Sequence, residues 1–412
     1  MKSTRTVIPL WLAWAIIVIS FQAWADARVT PQWPDRSLSW TTEFTEPNYQ
    51  QGQKYLVEPF MNNQVAWDSE YYLAIAVGGY DDPATDLVGP PDNQLTLSYS
   101  FLPFYPLLIR LFAIPLSLLG LNPIATATLA GVIVSALGAL GGMLALYDLT
   151  RDSLGEDGAL RAAFYLIIFP TGFFLVQVYT EGIFVGLAFG CLAMLRRKNW
   201  LLAAILASCT VLTRAVGITI FIPMVVNWLR TGDWIDLDME WRQLIHQGLP
   251  LKSLGRALLV FAPLITFLMW KFSYYGIAFD FVEMQFFGST FMNLGRAFFV
   301  WVEAWQSIFM GIPPRAANYL LIFFIFVLGF IASIKTLKDY PEAAWFSLAV
   351  IIISVGSGPP SGIHRYILTT PAIFIYLARL GENPIFDRVW TILSILWMGA
   401  LAALFAFDMW VA

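Results

Sequence analysis

Residues 125–147 read ATATLAGVIVSALGALGGMLALY, an unbroken run with no charged side chain. Coiled as an α-helix at 1.5 Å per residue, such a run is about 34 Å long, enough to cross a hydrocarbon layer roughly 30 Å thick. Inside lipid a backbone finds no water, so a segment of this kind must be a helix or a strand of a closed barrel. A barrel strand would alternate apolar and polar residues at period two. This run does not, and it sets the reading of the chain as all-helical.

Working outward, similar blocks of roughly 14–24 residues recur, separated by short polar punctuation. With 125–147 they give eleven expected spans: 7–24, 125–147, 160–176, 180–195, 200–212, 215–229, 257–275, 318–334, 343–355, 366–377 and 389–410. Apolar residues fill 58% of the 412 positions and charged residues only 13%. A soluble core stops growing at roughly 250–300 residues and has no use for so much apolar surface. Residues 101–119 are also apolar, but Pro103, Pro106, Arg110 and Pro115 interrupt them, and they are expected to lie in the outer interface.

Charge placement supports that choice. With eleven spans and the N-terminus inside, the cytoplasmic side receives Lys2, Arg5, Arg151, Arg161, Arg196, Arg197, Lys198, Arg230, Arg242, Lys252, Arg256, Lys335, Lys338, Arg379 and Arg388. These are fifteen of the 24 Lys and Arg, as the positive-inside rule expects. Making 101–119 a span would invert everything after it and put Arg196–Lys198 outside. Residues 1–27 carry Lys2 and Arg5, an apolar core and Ala23-Trp24-Ala25. They read either as an uncleaved first helix or as a signal peptide, and in both cases the chain after Ala25 is extracytoplasmic. The net charge of −4 and the lack of a basic run give no sign of a nucleic-acid partner. Cys191 and Cys209 lie inside apolar blocks and form no disulfide framework. No N-x-S/T sequon occurs, which favours a prokaryotic plasma membrane over the endoplasmic reticulum. There is no internal repeat of the transporter kind.

The chain reads as one domain, 1–412, with two outer segments too long to be idle connectors: 26–122 and 276–317. The first is rich in Trp, Tyr, Pro and Asp. It holds Trp67-Asp68-Ser69-Glu70-Tyr71-Tyr72 running to Gly79-Tyr80-Asp81-Asp82, followed by Phe101-Leu102-Pro103-Phe104-Tyr105-Pro106. Carboxylates beside aromatic rings at a membrane surface can act as bases on hydroxyls or ligate cations, or form a solvated acidic loop. Other polar residues stand where lipid makes them costly: Glu181 opens a span, Arg214 lies between two tightly joined spans, and His364-Arg365-Tyr366 opens another. Glu181 and Arg214 could be a structural ion pair, Arg365 could anchor to head-group phosphates, and His364 could be an ordinary loop histidine. Yet Asp68, Asp81, Asp82, Glu181, Arg214, His364 and Arg365 all map to the outer face. Acids near a hydroxyl, with Arg and His near a phosphate, make a transfer site there.

At these residues the chain resembles the PIG-V-like mannosyltransferases, a branch of the GT-C glycosyltransferase superfamily. Trp67-Asp68 through Gly79-Tyr80 looks like that family's W-D-x-x-x-Y-x-x-I-A-x-x-G-Y signature, and Phe101 to Leu111 like its F-x-P-x-Y-P-L-L-x-R-L block. Phe169-Pro170-Thr171-Gly172-Phe173-Phe174 with Tyr179-Thr180-Glu181, then Leu212-Thr213-Arg214 with Gly217, then Arg365-Tyr366, are similar to its later blocks, in order. The resemblance implies a GT-C-like bundle of about eleven helices whose long first outer loop carries interfacial helices. It implies inverting sugar transfer, usually of mannose, from a polyprenyl- or dolichyl-phosphate sugar. The reaction would take place on the extracytoplasmic face, or the lumenal face in an endoplasmic reticulum. Asp68 matches the superfamily's first-loop acid, the general base on the acceptor hydroxyl. Arg365, Arg214 or His364 would hold the phosphate, since guanidinium matches its oxygens bidentately, and Glu181 would orient Arg214 or a sugar hydroxyl. Trp67, Glu70, Tyr72, Tyr80, Asp81, Tyr105 and Tyr366 complete the expected substrate-binding set. The acceptor could be a glycolipid, a polysaccharide or a protein. Asp81-Asp82 and the residues before Arg365 depart from the family pattern. No cofactor is expected; a divalent cation could be ligated by Asp68 with Glu70 or by Asp81 with Asp82, and the preferred reading has none. A transporter or lipid flippase is the alternative, but it calls for charges near the bilayer midplane; a membrane scaffold would tolerate loss of Asp68.

Overall fold

The structure is a computed structural model and describes residues 2–46, 49–231, 251–288 and 292–411. Arg242, counted above on the cytoplasmic side, lies outside them. Fifteen helices carry the argument: α1 Lys2–Arg28, α2 Ser69–Val77, α3 Phe104–Leu116, α4 Pro123–Ile167, α5 Glu181–Arg196, α6 Trp200–Val211, α7 Phe221–Thr231, α8 Leu251–Lys271, α9 Tyr274–Val282, α10 Leu294–Ser307, α11 Pro313–Thr336, α12 Pro341–Ser357, α13 Ile363–Leu368, α14 Pro371–Leu380 and α15 Pro384–Ala406. The expected all-α chain also holds one short antiparallel pair, Leu87–Val88 with Leu95–Thr96. Its turn is built by Gly89 at φ +112° and the Asn93 N–H donating to Pro90 O at 2.8 Å.

The run that opened the sequence reading starts α4. Asn122 caps it by accepting from the Ala125 N–H at 2.9 Å, and Pro123 fills the first turn, where no N–H is needed. The helix passes the expected end at Tyr147 and breaks only at Gly155, at φ 68° and ψ 178°. Asp148 and Arg151 carry it through the polar zone, with Arg197 pairing to Asp148. The span expected at 160–176 is not one helix. It stops at Ile167, and 172–176 form a separate 3₁₀ turn. Pro170 removes a backbone donor and forces the residue before it out of the helical region. Similarly, the span expected at 366–377 is divided between α13 and α14 at Thr369-Thr370-Pro371.

Among the described residues, four helices are long and apolar enough to cross a membrane: Arg5–Arg28, α4, α11 and α15. A fifth span is formed if Gly255–Lys271 and Tyr274–Phe287, bent by 73°, count as one. The spans expected at 200–212, 215–229, 343–355 and 366–377 fall wholly or partly on shorter apolar helices. Phe104–Leu119, expected to lie in the interface, is another such helix, with Leu107, Leu111, Ile114, Leu118 and Leu119 exposed along it. The chain is therefore mostly helical, with several apolar helices suited to a bilayer.

Two ends of the bundle can be told apart by their charges. At one end Arg196 Nη1 donates to Leu149 O at 2.9 Å, Arg379 pairs with Asp339 at 2.7 Å, and Arg161 lies 3.9 Å from Asp387. These are residues the charge count put on one side, and they meet there. The first loop sits at the opposite end. Arg110 on α3, which looked like an interruption, holds that loop together: its Nε and Nη2 donate at 3.0 Å to Ala76 O and Ile75 O, the free carbonyls ending α2.

What positions the site is the contact of α4 with α5. A Cβ on Gly138 would meet the Gly182 backbone at 2.5 Å, and one on Gly186 would meet Gly138 O at 2.6 Å. Small residues let two helices approach this closely in lipid. The contact fixes the start of α5, where Glu181 stands. Below it, Gln177 Nε2 donates to Gln22 Oε1 at 3.0 Å and Gln22 Nε2 to Ala402 O at 3.2 Å, joining α1, the 172–180 segment and α15.

Candidate active site

Asp68 stands just before α2 with helical backbone angles, φ −55° and ψ −22°, and Trp67 before it takes a left-handed φ of 50°. The Asp68 N–H donates to Tyr179 Oη at 3.2 Å, and that hydroxyl donates in turn to Ala66 O at 3.1 Å. The loop backbone is thus pinned to the residue pair just before α5. Asp68 Oδ2 accepts from Arg365 Nη1 at 2.9 Å, and its side chain is 27% exposed, so Oδ1 remains available. Arg365 is buried, and its Nε lies 3.4 Å from Glu181 Oε1 without hydrogen-bond geometry. Glu181 is completely buried and pairs with Arg214, which also donates to Thr180 Oγ1 at 2.9 Å.

The result is an alternating line, Asp68, Arg365, Glu181, Arg214, that carries no net charge. It leads from a half-open acid into the bundle. Aromatic faces flank the cations: Arg365 stands 5.2 Å from the Tyr179 ring centre and 5.6 Å from Phe174, and Arg214 4.9 Å from Tyr366. Tyr72 reaches the same place, its hydroxyl 3.5 Å from Thr180 Oγ1. Glu181 Oε2 and Arg365 Nε are buried with no hydrogen-bond partner among the described residues. The cluster therefore has unused capacity to donate to an anion and to accept from a hydroxyl.

Six sequence-expected residues thus meet: Asp68, Tyr72, Glu181, Arg214, Arg365 and Tyr366. Others are placed elsewhere. His364 is fully buried, its Nε2 hydrogen-bonded to Val411 O at 2.6 Å, so its ring is engaged by the backbone at Val411 and not by the charge line. Tyr105 lies beneath the site, its hydroxyl used by Gly131 O at 3.0 Å and Ser135 Oγ at 2.9 Å. Tyr80 donates to Phe101 O at 2.9 Å and stacks on Tyr99. Trp67 packs edge-on against Trp40 and Trp410.

The two acid pairs named for a cation do not converge. Asp81 accepts from Tyr99 Oη at 2.8 Å, whereas Asp82 accepts from Tyr55 and from the Ala84 N–H at 2.9 Å. Burial alone would raise Asp82; those donors and Lys54 hold it below the usual carboxylate range. Glu70, two residues past Asp68 on α2, turns away and is buried, with Oε1 unpartnered. Burial, with Asp86 adding, pushes it up to about 8. Among the described residues, no three His, Cys, Asp or Glu side chains are placed to hold a metal ion. Sequence reasoning missed Tyr179 and Thr180 as members, though both adjoin Glu181 in a quoted block. It also missed Trp40 and Trp410, for which no local signal exists.

The apo oligosaccharyltransferase of Archaeoglobus fulgidus is 15% identical, with a TM-score of 0.48 over 98% of this chain and 56% of its own. The Archaeoglobus fulgidus oligosaccharyltransferase AglB, in complex with an inhibitory peptide and a dolichol-phosphate, is 15% identical with a TM-score of 0.45, over 95% and 56%. ArnT from Cupriavidus metallidurans bound to undecaprenyl phosphate is 16% identical with a TM-score of 0.47, over 91% and 60%. The chain spans less than two thirds of each. No curated protein matches it. Residues 53–283, more than half of the chain and including Asp68, Glu181 and Arg214, match the family described as mannosyltransferase (PIG-V), and the chain belongs to that family.

Proposed function

We infer that the protein transfers a mannosyl group, with inversion, from a polyprenyl- or dolichyl-phosphate sugar to an acceptor hydroxyl at the extracytoplasmic end of an eleven-span bundle. Family membership supports the reaction class. The observation that carries the mechanism is the pairing of Asp68, the half-open acid, with Arg365 at 2.9 Å, backed by a second buried guanidinium on the same Glu181.

In this reading the acceptor oxygen attacks the sugar's anomeric carbon while the bond to the lipid phosphate breaks. The hydroxyl proton goes to Asp68, and the electron pair leaves on the phosphate, which needs no protonation. Arg365 and Arg214 meet the charge that grows on the phosphate oxygens. When Arg365 turns to phosphate it releases Asp68 Oδ2, so donor binding would arm the base. Glu181 holds the two cations side by side against their repulsion. No metal is required at any step. A transporter is less well supported, because the charges form a closed, paired line at one end of the bundle.

The test is transfer of label from polyprenyl-phosphate-mannose in membranes supplied with acceptor lipid extracts, with and without a chelator. Asp68→Asn, shown to be folded by detergent chromatography, should lose at least about a hundredfold, the scale of a missing general base. Equal transfer by variant and wild type would remove Asp68 from the mechanism, and loss of wild-type activity with chelator would refute metal independence.

A further inference from the structure

A second recess, which shares no residue with the charge line, carries two arginines. A cavity of about 550 Å³ is lined by Arg36, Thr42, Gly311, Ile312, Pro313, Pro314 and Arg315. It brings the first long outer segment against the start of α11. Among the described residues neither arginine makes an ion pair. The acid adjacent in sequence, Asp35, is used otherwise: it accepts from the Ser37 N–H at 2.9 Å, from Ser37 Oγ at 2.8 Å and from the Trp410 N–H at 2.9 Å. Arg315 Nε is buried without a partner.

Two further features fit an anion with an apolar tail. The 24-residue α11 begins at the recess; Pro313 and Pro314 give its first two positions no N–H, so the helix offers an anion its dipole and not a row of amides. Gly311 at φ 76° has nothing within 4 Å of where a Cβ would stand, so the entrance is open. Immediately before it, Trp305, Phe309 and Met310 are more than half exposed, an apolar approach at the level where the helix begins.

We propose that this recess binds the phosphate of an anionic lipid head group, with Arg36 and Arg315 as its donors and the Trp305–Met310 face against the acyl chains. The site is separate from the Asp68 line, and the inference holds or fails independently of sugar transfer. Planar guanidiniums without carboxylate partners are suited to bidentate phosphate contacts.

The experiment uses the full chain purified in detergent and measures retained phosphatidylglycerol and phosphatidylcholine by native mass spectrometry. Wild type should retain phosphatidylglycerol over phosphatidylcholine by at least about tenfold, and R36Q/R315Q should lose that preference. Thr42→Glu keeps both arginines but places a carboxylate among them, and should lose it too, which guards against a misfolded double variant. Equal preference in wild type and both variants overturns the proposal. Displacement of the lipid by millimolar inorganic phosphate would overturn the lipid assignment and leave a site for free phosphate.

Discussion

The contact of α4 with α5 and the periphery formed by α8, α9 and α10 use the same apolar composition to opposite ends. At the first, Gly138, Gly182 and Gly186 bring two backbones together with no room for a methyl group. At the second, Phe272, Phe298 and Phe299 are each about two-thirds exposed or more. In water such a surface would be a liability, whereas lipid tails are as apolar as the rings, and exposure there costs little. The line of Asp68, Arg365, Glu181 and Arg214 is anchored at the first, through Glu181 at the start of α5. A line of ion pairs works when its members are held to a few tenths of an ångström, and glycine-packed helices supply that where a phenylalanine fringe in lipid cannot.

Glu181→Gln should break this contrast most. It leaves Arg365 with Asp68 and takes from buried Arg214 its acid partner Glu181, an uncompensated charge worth about 3–5 kcal/mol. Denaturation in detergent should show the loss, and unchanged stability would mean that the line does not hold the α5 terminus. Gly186→Leu attacks the packing without touching a charge. Overpacking should cost about 1–3 kcal/mol, and transfer should fall with it if α5 is displaced.

The pH dependence of stability should sharpen the picture for the first loop. Glu70 is raised from 4.5 to about 8, mainly by burial. Below pH 4.5 the folded and unfolded chains both keep this proton, and between 4.5 and about 8 the unfolded chain releases it first. Stability therefore falls as pH rises through that window and levels off above it. Glu70→Gln should flatten the melting temperature across the same range, and an unchanged slope would assign it to another group. Phe299→Ala should do least, within about 0.5 kcal/mol. A larger loss would show that the α10 fringe packs against protein.

Much of this was readable in the sequence, because hydropathy and charge act locally. The run 125–147 is a helix, Arg161, Arg196 and Arg379 come to one end, and Asp68, Glu181, Arg214 and Arg365, far apart in sequence, lie together. The misses share a cause in partners that lie far along the chain. Nothing near His364 says that Val411 will take its ring nitrogen, and nothing near Arg110 says that α2 needs its carbonyls capped. Hydropathy also counted through Pro170, because a proline that ends a helix leaves the apolar average almost unchanged.

The Tyr179 hydroxyl grips the chain on both sides of Trp67, at Ala66 O and at the Asp68 N–H. A carboxylate mounted on so fixed a pivot can swing only through its own two torsions, an arc of a few ångströms. If Asp68 is the base, it works like a depth gauge: its height above the bilayer is set by a tyrosine rooted among the helices, and an acceptor must bring its hydroxyl to that level.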